Sequence, residues 1–155
     1  MGLPTAHSGF NIELLQVNGL TLMAKANSGH WIAFDADKDI GGADAASCPF
    51  EVFLASIAAC TAIDVILILK KMKVKYDSFR INLHAARRAE HPKVPESISI
   101  EYIFEGDNIP NENIEKAISL SLEKYCSISA VVKMAGIPVE WSYNIISDAN
   151  YPASN

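Results

Sequence analysis

The stretch 51-EVFLASIAACTAIDVILIL-69 decides the fold of this 155-residue chain. It is nearly long and apolar enough to cross a bilayer, which takes about 20 such residues. Asp64 near its middle would cost roughly 2.5 to 3.5 kcal/mol on an insertion scale, and the flanking sequence alternates as half-buried strands do. We therefore interpret the stretch as a helix that is apolar nearly all round because protein covers it nearly all round.

The composition is that of one compact domain. Hydrophobic residues make up 50% of the chain and charged residues 20%, which excludes a disordered protein. A net charge of −5 without a dense basic stripe argues against nucleic acid as a partner, and the one basic run, Lys70 to Lys75, fits a solvated helix end. The N-terminus has no charged region followed by an apolar core, so we expect no secretory signal, no membrane partner and a cytoplasmic protein.

The order of elements predicts an α+β fold with two helices, one of them central and apolar, and antiparallel strands. A chain this short surrounds such a helix with difficulty, so we predict an obligate homodimer with the helix near the interface. We expect a single domain over residues 1–155, with its core at about 18–146, flexible ends and a flexible loop from Asp37 to Ser47. The first predicted elements are the strands NIELLQV, LTLMAKA and HWIAFDA, followed by a helix from Pro49 to about Met72. Two longer strands come next, YDSFRINLHAARRAE and ESISIEYIFEGD. The second predicted helix is NENIEKAISLSLEKYCSISAVVKMAG, with an asparagine cap and Gly136 after its end, and the last strand is IPVEWSYNIIS.

Cys60 is the most informative single residue of the central helix. A free cysteine often packs as a small hydrophobe, and that reading stays open. Helical spacing places Cys60 one turn from Asp64, and both the carboxylate and burial should disfavour a thiolate unless a cation pairs with the two groups. Strand alternation points Arg87 toward the core face as that cation, although a bulge would substitute Arg88.

Metal ligands show no recognisable spacing in this sequence. The three cysteines, Cys48, Cys60 and Cys126, are far apart, and the four histidines form no cluster. The odd number and wide separation of the cysteines also differ from the disulfide framework of a small secreted domain. We expect no metal and no bound cofactor.

Four segments of the chain resemble the OsmC/Ohr family, the osmotically induced and organic-hydroperoxide-resistance proteins. They are GLTLMAKANSGHWIAFDA, CPFEVFLASIAACTAIDVILILKK, RINLHAARRAE and AISLSLEKYCSISAVV, in the family's order and spacing, and the resemblance runs from about Asn18 to Ile146. The segments ACTAIDV and EKYCS are most similar to the family's subgroup of predicted redox proteins. The resemblance implies an intertwined α+β homodimer whose central helices are wrapped by strands of both chains.

The resemblance also implies a chemistry. Cys60 would be the peroxidatic cysteine that reduces an organic hydroperoxide, and Cys126 the resolving cysteine that forms an intramolecular disulfide with it. An external dithiol reductant, such as a lipoylated protein, would reopen that disulfide. The alternative is a non-catalytic dimer that binds a small ligand in an apolar cleft, with cysteines that only pack.

Two positions depart from the family's peroxidases. Those enzymes have a glutamate directly after the proline that precedes the cysteine helix, whereas here Phe50 follows Pro49 and Glu51 comes one residue later. They also supply an activating arginine from an early strand, and this chain has no arginine before Arg80. Glu51 is therefore a weaker candidate for the glutamate's role than a matching position would be. For the arginine's role, either Arg87 or Arg88 replaces it or Cys60 is not strongly activated.

Overall fold

The computed structural model describes residues 9–147, which form two compact units divided between Phe53 and Leu54. The ends predicted to be flexible, residues 1–8 and 148–155, lie outside the described residues. The single domain expected from the sequence stays a prediction.

The first unit contains the predicted three-stranded meander. Strands β1 (Ile12–Asn18), β2 (Thr21–Ala26) and β3 (Trp31–Phe34) pair antiparallel in the order β1-β2-β3. The Asn-Gly signal at the first hairpin is confirmed, since Gly19 has φ +54°, a conformation that favours glycine. A short 3-10 turn at Lys38–Ile40 follows, and the first helix, α1 (Pro49–Lys71), begins at the predicted proline.

A buried carboxylate organises the loop after β3. Asp35 is 2% exposed and accepts hydrogen bonds from the backbone N–H groups of Ala36 at 2.7 Å and Ala45 at 3.1 Å. The hydroxyl of Thr21 donates to the same carboxylate at 3.0 Å. The Ala36 N–H bond is the main cause of the lowered pKa of Asp35. The turn-rich segment that follows is thus tied back to β2 and β3.

The second unit places one face of α1 on a three-stranded sheet. Strands β4 (Ser78–Arg87), β5 (Pro95–Glu105) and β6 (Val139–Ile146) lie in the order β4-β5-β6. β4 pairs antiparallel with β5, as predicted, whereas β6 is parallel to β5 and is the exception to the predicted antiparallel strands. The helical crossover between β5 and β6 makes that parallel pairing possible. The α1 residues buried in this unit recur every four positions: Ile57, Thr61, Val65 and Leu69.

The alternation of β4 holds over most of its length. Its odd-numbered apolar residues pack against the core: Phe79, Ile81, Leu83 and Ala85. The register shifts between Ala86 and Arg87, and Arg87 is exposed. The prediction that Arg87 faces the core was therefore wrong, because a bulge ends the alternation one residue before it.

The predicted second helix is two helices. α2 (Asn111–Leu120) continues into a π-helical turn (Ser121–Tyr125), the backbone becomes extended at Cys126 with ψ 101°, and α3 (Ser127–Met134) follows. Pro110 rather than an asparagine is the N-cap residue of α2, whereas Gly136 after α3 has φ +75°, as predicted for a helix end. The α+β class is confirmed, with three α-helices in the described part of the chain instead of two.

Part of α1 is left uncovered. By length and composition alone the helix could cross a membrane, because its most apolar window has a mean hydropathy of 2.5. Only 22% of that window is buried within this one chain. Ile63, Ile66 and Leu67 are exposed, on the sides of the helix away from the Ile57 to Leu69 face. Neighbouring exposed apolar residues of this kind are typical of surfaces that contact another protein, a ligand or a membrane.

Candidate active site

Three side chains that are far apart in the sequence meet inside the second unit. The sulfur atoms of Cys60 and Cys126 and a carboxylate oxygen of Asp64 all lie within 4.8 Å of one another. Cys60 and Asp64 come from successive turns of α1, and Cys126 comes from the break between the π-helical turn and α3. Cys126 is 2% exposed, whereas Cys60 and Asp64 are half-buried.

The first turn of α3 donates hydrogen bonds to both sulfurs. Cys126 is the N-cap residue of α3, and its Sγ accepts from the backbone N–H of Ser129 at 3.4 Å and from the Ser129 hydroxyl at 3.0 Å. The backbone N–H of Ile128 donates to the sulfur of Cys60. Because a helix N-terminus carries unsatisfied N–H groups and the positive end of the dipole, this arrangement favours negative charge on sulfur.

Burial nevertheless raises the pKa of the Cys60 thiol. The hydrogen bond to Cys126 raises it further, the Ile128 N–H lowers it, and the like charges of Cys126 and Asp64 raise it. The expectation that burial and Asp64 would disfavour the Cys60 thiolate agrees with this balance. Cys60 is therefore mainly protonated at neutral pH, and a reaction at its sulfur needs a proton acceptor.

A line of buried hydroxyl groups supports Asp64. The hydroxyls of Tyr102 and Thr61 are 2.7 Å apart, those of Thr61 and Ser121 are 2.9 Å apart, and Ser121 donates to Asp64 Oδ2 at 3.1 Å. All three hydroxyl residues are fully buried, and burial raises the pKa of Tyr102 to about 12. Tyr102 is thus a neutral hydroxyl at neutral pH, and this chain of hydrogen bonds fixes the orientation of the Asp64 carboxylate.

An apolar groove opens beside Asp64. Its volume is about 380 Å³, and its lining combines Asp64 and Lys71 with the apolar side chains of Leu67, Ile68, Met72, Leu120 and Tyr125. This size is within the range of small-molecule sites. A small organic group could lie in the groove with a polar atom toward Asp64.

The other residues predicted for the site have structural contacts. Glu51 Oε2 accepts the backbone N–H of Cys48 at 2.9 Å, so it caps the start of α1. The Nε of Arg87 donates to the carbonyl of Lys93 at 2.9 Å, and Arg88 is exposed. The groups that shift the pKa of Cys60 belong to α1 and to the segment from Cys126 to Ile128. The roles of Glu51 and Arg87 in the chemistry stay predictions.

Sequence reasoning missed four polar residues of the site. They are Thr61, Tyr102, Ser121 and Ser129. The sequence did contain a signal for Thr61. This residue follows Cys60 and lies midway between Ile57 and Val65 in a series of every fourth residue, which indicates a position on the buried face of α1. Ser121 and Ser129 carried none, because a continuous helix would have placed them differently around Cys126.

The sequence and fold of the chain are similar to those of known proteins. Residues 41–142 match the family described as OsmC-like protein, and the chain belongs to that family. It is 31% identical to the protein YhfA of Escherichia coli strain K12 over 131 residues, which are 84% of this chain and 94% of that protein.

Solved structures show the same fold. A hypothetical protein from Aquifex aeolicus VF5 is similar with a TM-score of 0.78 and 31% identity, covering 92% of this chain and 99% of that one. An organic hydroperoxide resistance protein OsmC from Legionella pneumophila is similar with a TM-score of 0.64 and 15% identity, covering 86% of this chain and 96% of that one. At that identity the second likeness concerns the fold alone.

Proposed function

We propose that the protein is a thiol-dependent reductase of organic hydroperoxides, with Cys60 as the peroxidatic and Cys126 as the resolving cysteine. The observation that carries the proposal is the approach of the two sulfurs to within 4.8 Å at the N-terminus of α3. A disulfide requires its cysteines to be close neighbours, and a side-chain rotation covers the remaining gap. The family contains proteins named for organic hydroperoxide resistance, which supports this chemistry.

The reaction starts at Cys60 because it is the less buried of the two cysteines. Its thiol loses a proton, which the Asp64 carboxylate within 4.8 Å can accept. The thiolate attacks the terminal oxygen of the hydroperoxide, the O–O bond breaks, and the alkoxide leaves as an alcohol after taking up a proton. Cys60 is then a sulfenic acid.

Cys126 completes the cycle. Its sulfur attacks the Cys60 sulfur, the S–O bond breaks, and the hydroxide leaves as water once protonated, so that an intramolecular disulfide remains. Ser129 holds the attacking sulfur by two hydrogen bonds. An external dithiol, for which a lipoylated protein is the proposed source, returns two electrons and two protons to restore both thiols. The apolar groove beside Asp64 would hold the organic part of the hydroperoxide.

Free-thiol titration tests this proposal. The reduced chain has three thiols, and one equivalent of cumene hydroperoxide should remove two of them within minutes. Cys60→Ser should prevent the loss, Cys126→Ser should limit it to one thiol with a sulfenic acid trapped by dimedone, and Cys48→Ser should leave the loss of two unchanged. No loss in the unmodified protein, or a loss of two in Cys60→Ser, would contradict it.

A second candidate function is non-catalytic binding of a small apolar ligand, which the groove lined by Leu67 and Met72 favours. Fluorescent fatty-acid or aromatic probes would bind equally to the unmodified protein and to Cys60→Ser if binding were the whole function. Probe displacement by cumene hydroperoxide together with thiol loss would favour the reductase instead.

We further propose a homodimer in which a second copy covers the exposed side of α1. Ile63 is 58% exposed and Leu67 50% exposed on a helix whose apolar side faces solvent in the single chain. Light scattering should give twice the 16.9 kDa of one chain. Ile63→Glu should dissociate the dimer, whereas Met134→Glu, at an apolar position of α3 that is 87% exposed, should not. A monomer at micromolar concentration would contradict this proposal.

A further inference from the structure

The two sulfurs and the carboxylate that meet in the second unit are also three potential metal ligands. We propose that the reduced protein binds one thiophilic divalent ion, with Zn²⁺ the best fit, through Cys60 Sγ, Cys126 Sγ and one oxygen of Asp64. This inference rests on the geometry of the three side chains and does not depend on the proposed reductase activity. The sequence predicted no metal because the cysteines are widely separated along the chain. That separation does not exclude a metal site, because the break before α3 brings Cys126 to α1.

The distances suit a tetrahedral ion. With zinc–sulfur bonds of about 2.3 Å and a zinc–oxygen bond of about 2.0 to 2.2 Å, tetrahedral ligand atoms lie roughly 3.6 to 3.8 Å apart. The three ligand atoms already lie within 4.8 Å of one another, so each separation needs to shorten by about 1.2 Å at most. Small side-chain rotations supply a movement of that size, and three protein ligands leave a fourth position for water.

Each of the three ligands has a supporting hydrogen bond. The Ile128 N–H donates to the Cys60 sulfur, the N–H and hydroxyl of Ser129 donate to the Cys126 sulfur, and Ser121 donates to Asp64 Oδ2. Donors of this kind orient metal ligands and stabilise their charged form. The polar neighbours that a metal site requires are therefore in place before an ion arrives.

Charge balance favours the ion as well. Two thiolates and one carboxylate carry three negative charges, and a divalent ion reduces that total to one. Binding releases two thiol protons to solvent, and no electron is transferred. The bound ion would be the cation that Cys60 and Asp64 require beside them. A disulfide between Cys60 and Cys126 would remove two of the three ligands, so oxidation would release the metal.

Cobalt titration of the reduced, anaerobic protein tests the site without any hydroperoxide. Co²⁺ should saturate at one ion per chain, with a thiolate-to-cobalt charge-transfer band and the intense visible bands of a tetrahedral ion, and Zn²⁺ should displace it. Two protons per Zn²⁺ should appear in a weakly buffered indicator solution. Octahedral spectra, or charge-transfer intensity below half an ion per chain, would overturn the proposal.

Matched variants assign the ligands. Cys60→Ser and Cys126→Ser should each lose most of the charge-transfer intensity, while Cys48→Ser should keep all of it. Asp64→Asn keeps both thiols and the side-chain shape, and it should weaken Zn²⁺ binding at least about tenfold while circular dichroism stays unchanged. Unchanged affinity in Asp64→Asn would overturn the three-ligand site. Because these readouts use no peroxide, loss of metal binding and loss of reductase activity are separate results.

Discussion

Thr61→Val should be among the most destabilising isosteric changes in the second unit. Thr61 is fully buried, and its hydroxyl lies between that of Tyr102 at 2.7 Å and that of Ser121 at 2.9 Å. Valine keeps the shape of the side chain but removes the central hydroxyl. Ser121 keeps its bond to Asp64, whereas the buried hydroxyl of Tyr102 loses the partner that the structure gives it.

The magnitude follows from which groups remain paired. A buried donor left without a partner costs about 1 to 3 kcal/mol in the free energy of unfolding, and a lost hydrogen bond about 0.5 to 1.5 kcal/mol. Thr61→Val should therefore cost about 1.5 to 4.5 kcal/mol. Tyr102→Phe should cost about 0.5 to 1.5 kcal/mol, because Thr61 and Ser121 still bond to each other.

The double variant provides the decisive measurement. With both hydroxyls gone no group is stranded, so Thr61→Val with Tyr102→Phe should be more stable than the sum of the single losses by about 1 to 2 kcal/mol. Urea unfolding at one fixed protein concentration measures all four species, and unchanged m-values would show comparable unfolding reactions. Losses that add within about 0.5 kcal/mol would refute the hydrogen-bonded chain.

Four further predictions concern pH and the predicted site residues. The pKa of Tyr102 is raised from 10 to about 12, so its stabilising contribution is present below pH 10 and lost as pH rises to 12; Tyr102→Phe should flatten this part of a pH–urea profile. Asp64→Asn removes a negative charge and should lower the pKa of Cys60, so the midpoint of the pH–rate profile for its alkylation by iodoacetamide should fall; an unchanged midpoint would contradict the charge effect. Glu51→Ala should reduce stability by about 1 kcal/mol but leave the alkylation rate unchanged, as measured by urea unfolding and kinetics. Arg87→Gln should change that rate by less than about twofold because exposed charges are screened, and a tenfold loss would assign it the activating role.

The sequence predicted most of the fold because its local signals agreed with each other. The Asn-Gly turn, the proline at the start of α1 and the apolar alternation from Phe79 to Ala85 each specified their element without help from distant residues. The parallel pairing of β6 was missed because strand direction depends on the crossover helices and not on the strand's own pattern.

The site was less predictable because it depends on a break in a helix. The segment from Asn111 to Met134 has the composition of one continuous helix, and nothing local marks Cys126 as the point where the backbone becomes extended. That break places the Cys126 sulfur beside α1 and aims the N–H groups of Ile128 and Ser129 at both cysteines. The two cysteines and Asp64 were identified, but the hydroxyl and N–H groups that surround them were not.

The groups that act on the pKa of Cys60 differ from the arginine expected from the sequence. A full arginine charge beside the thiol would lower its pKa strongly, but the N-terminus of α3 offers only about half a charge. Burial opposes that contribution most and Cys126 and Asp64 oppose it further, so the pKa of Cys60 stays raised. A site of this kind reacts slowly until the thiol proton is removed. In hydroperoxide reduction Asp64 would accept that proton, and in metal binding the divalent ion would displace it. Zn²⁺ should therefore protect the reduced thiols from cumene hydroperoxide, because both compete for the same sulfur.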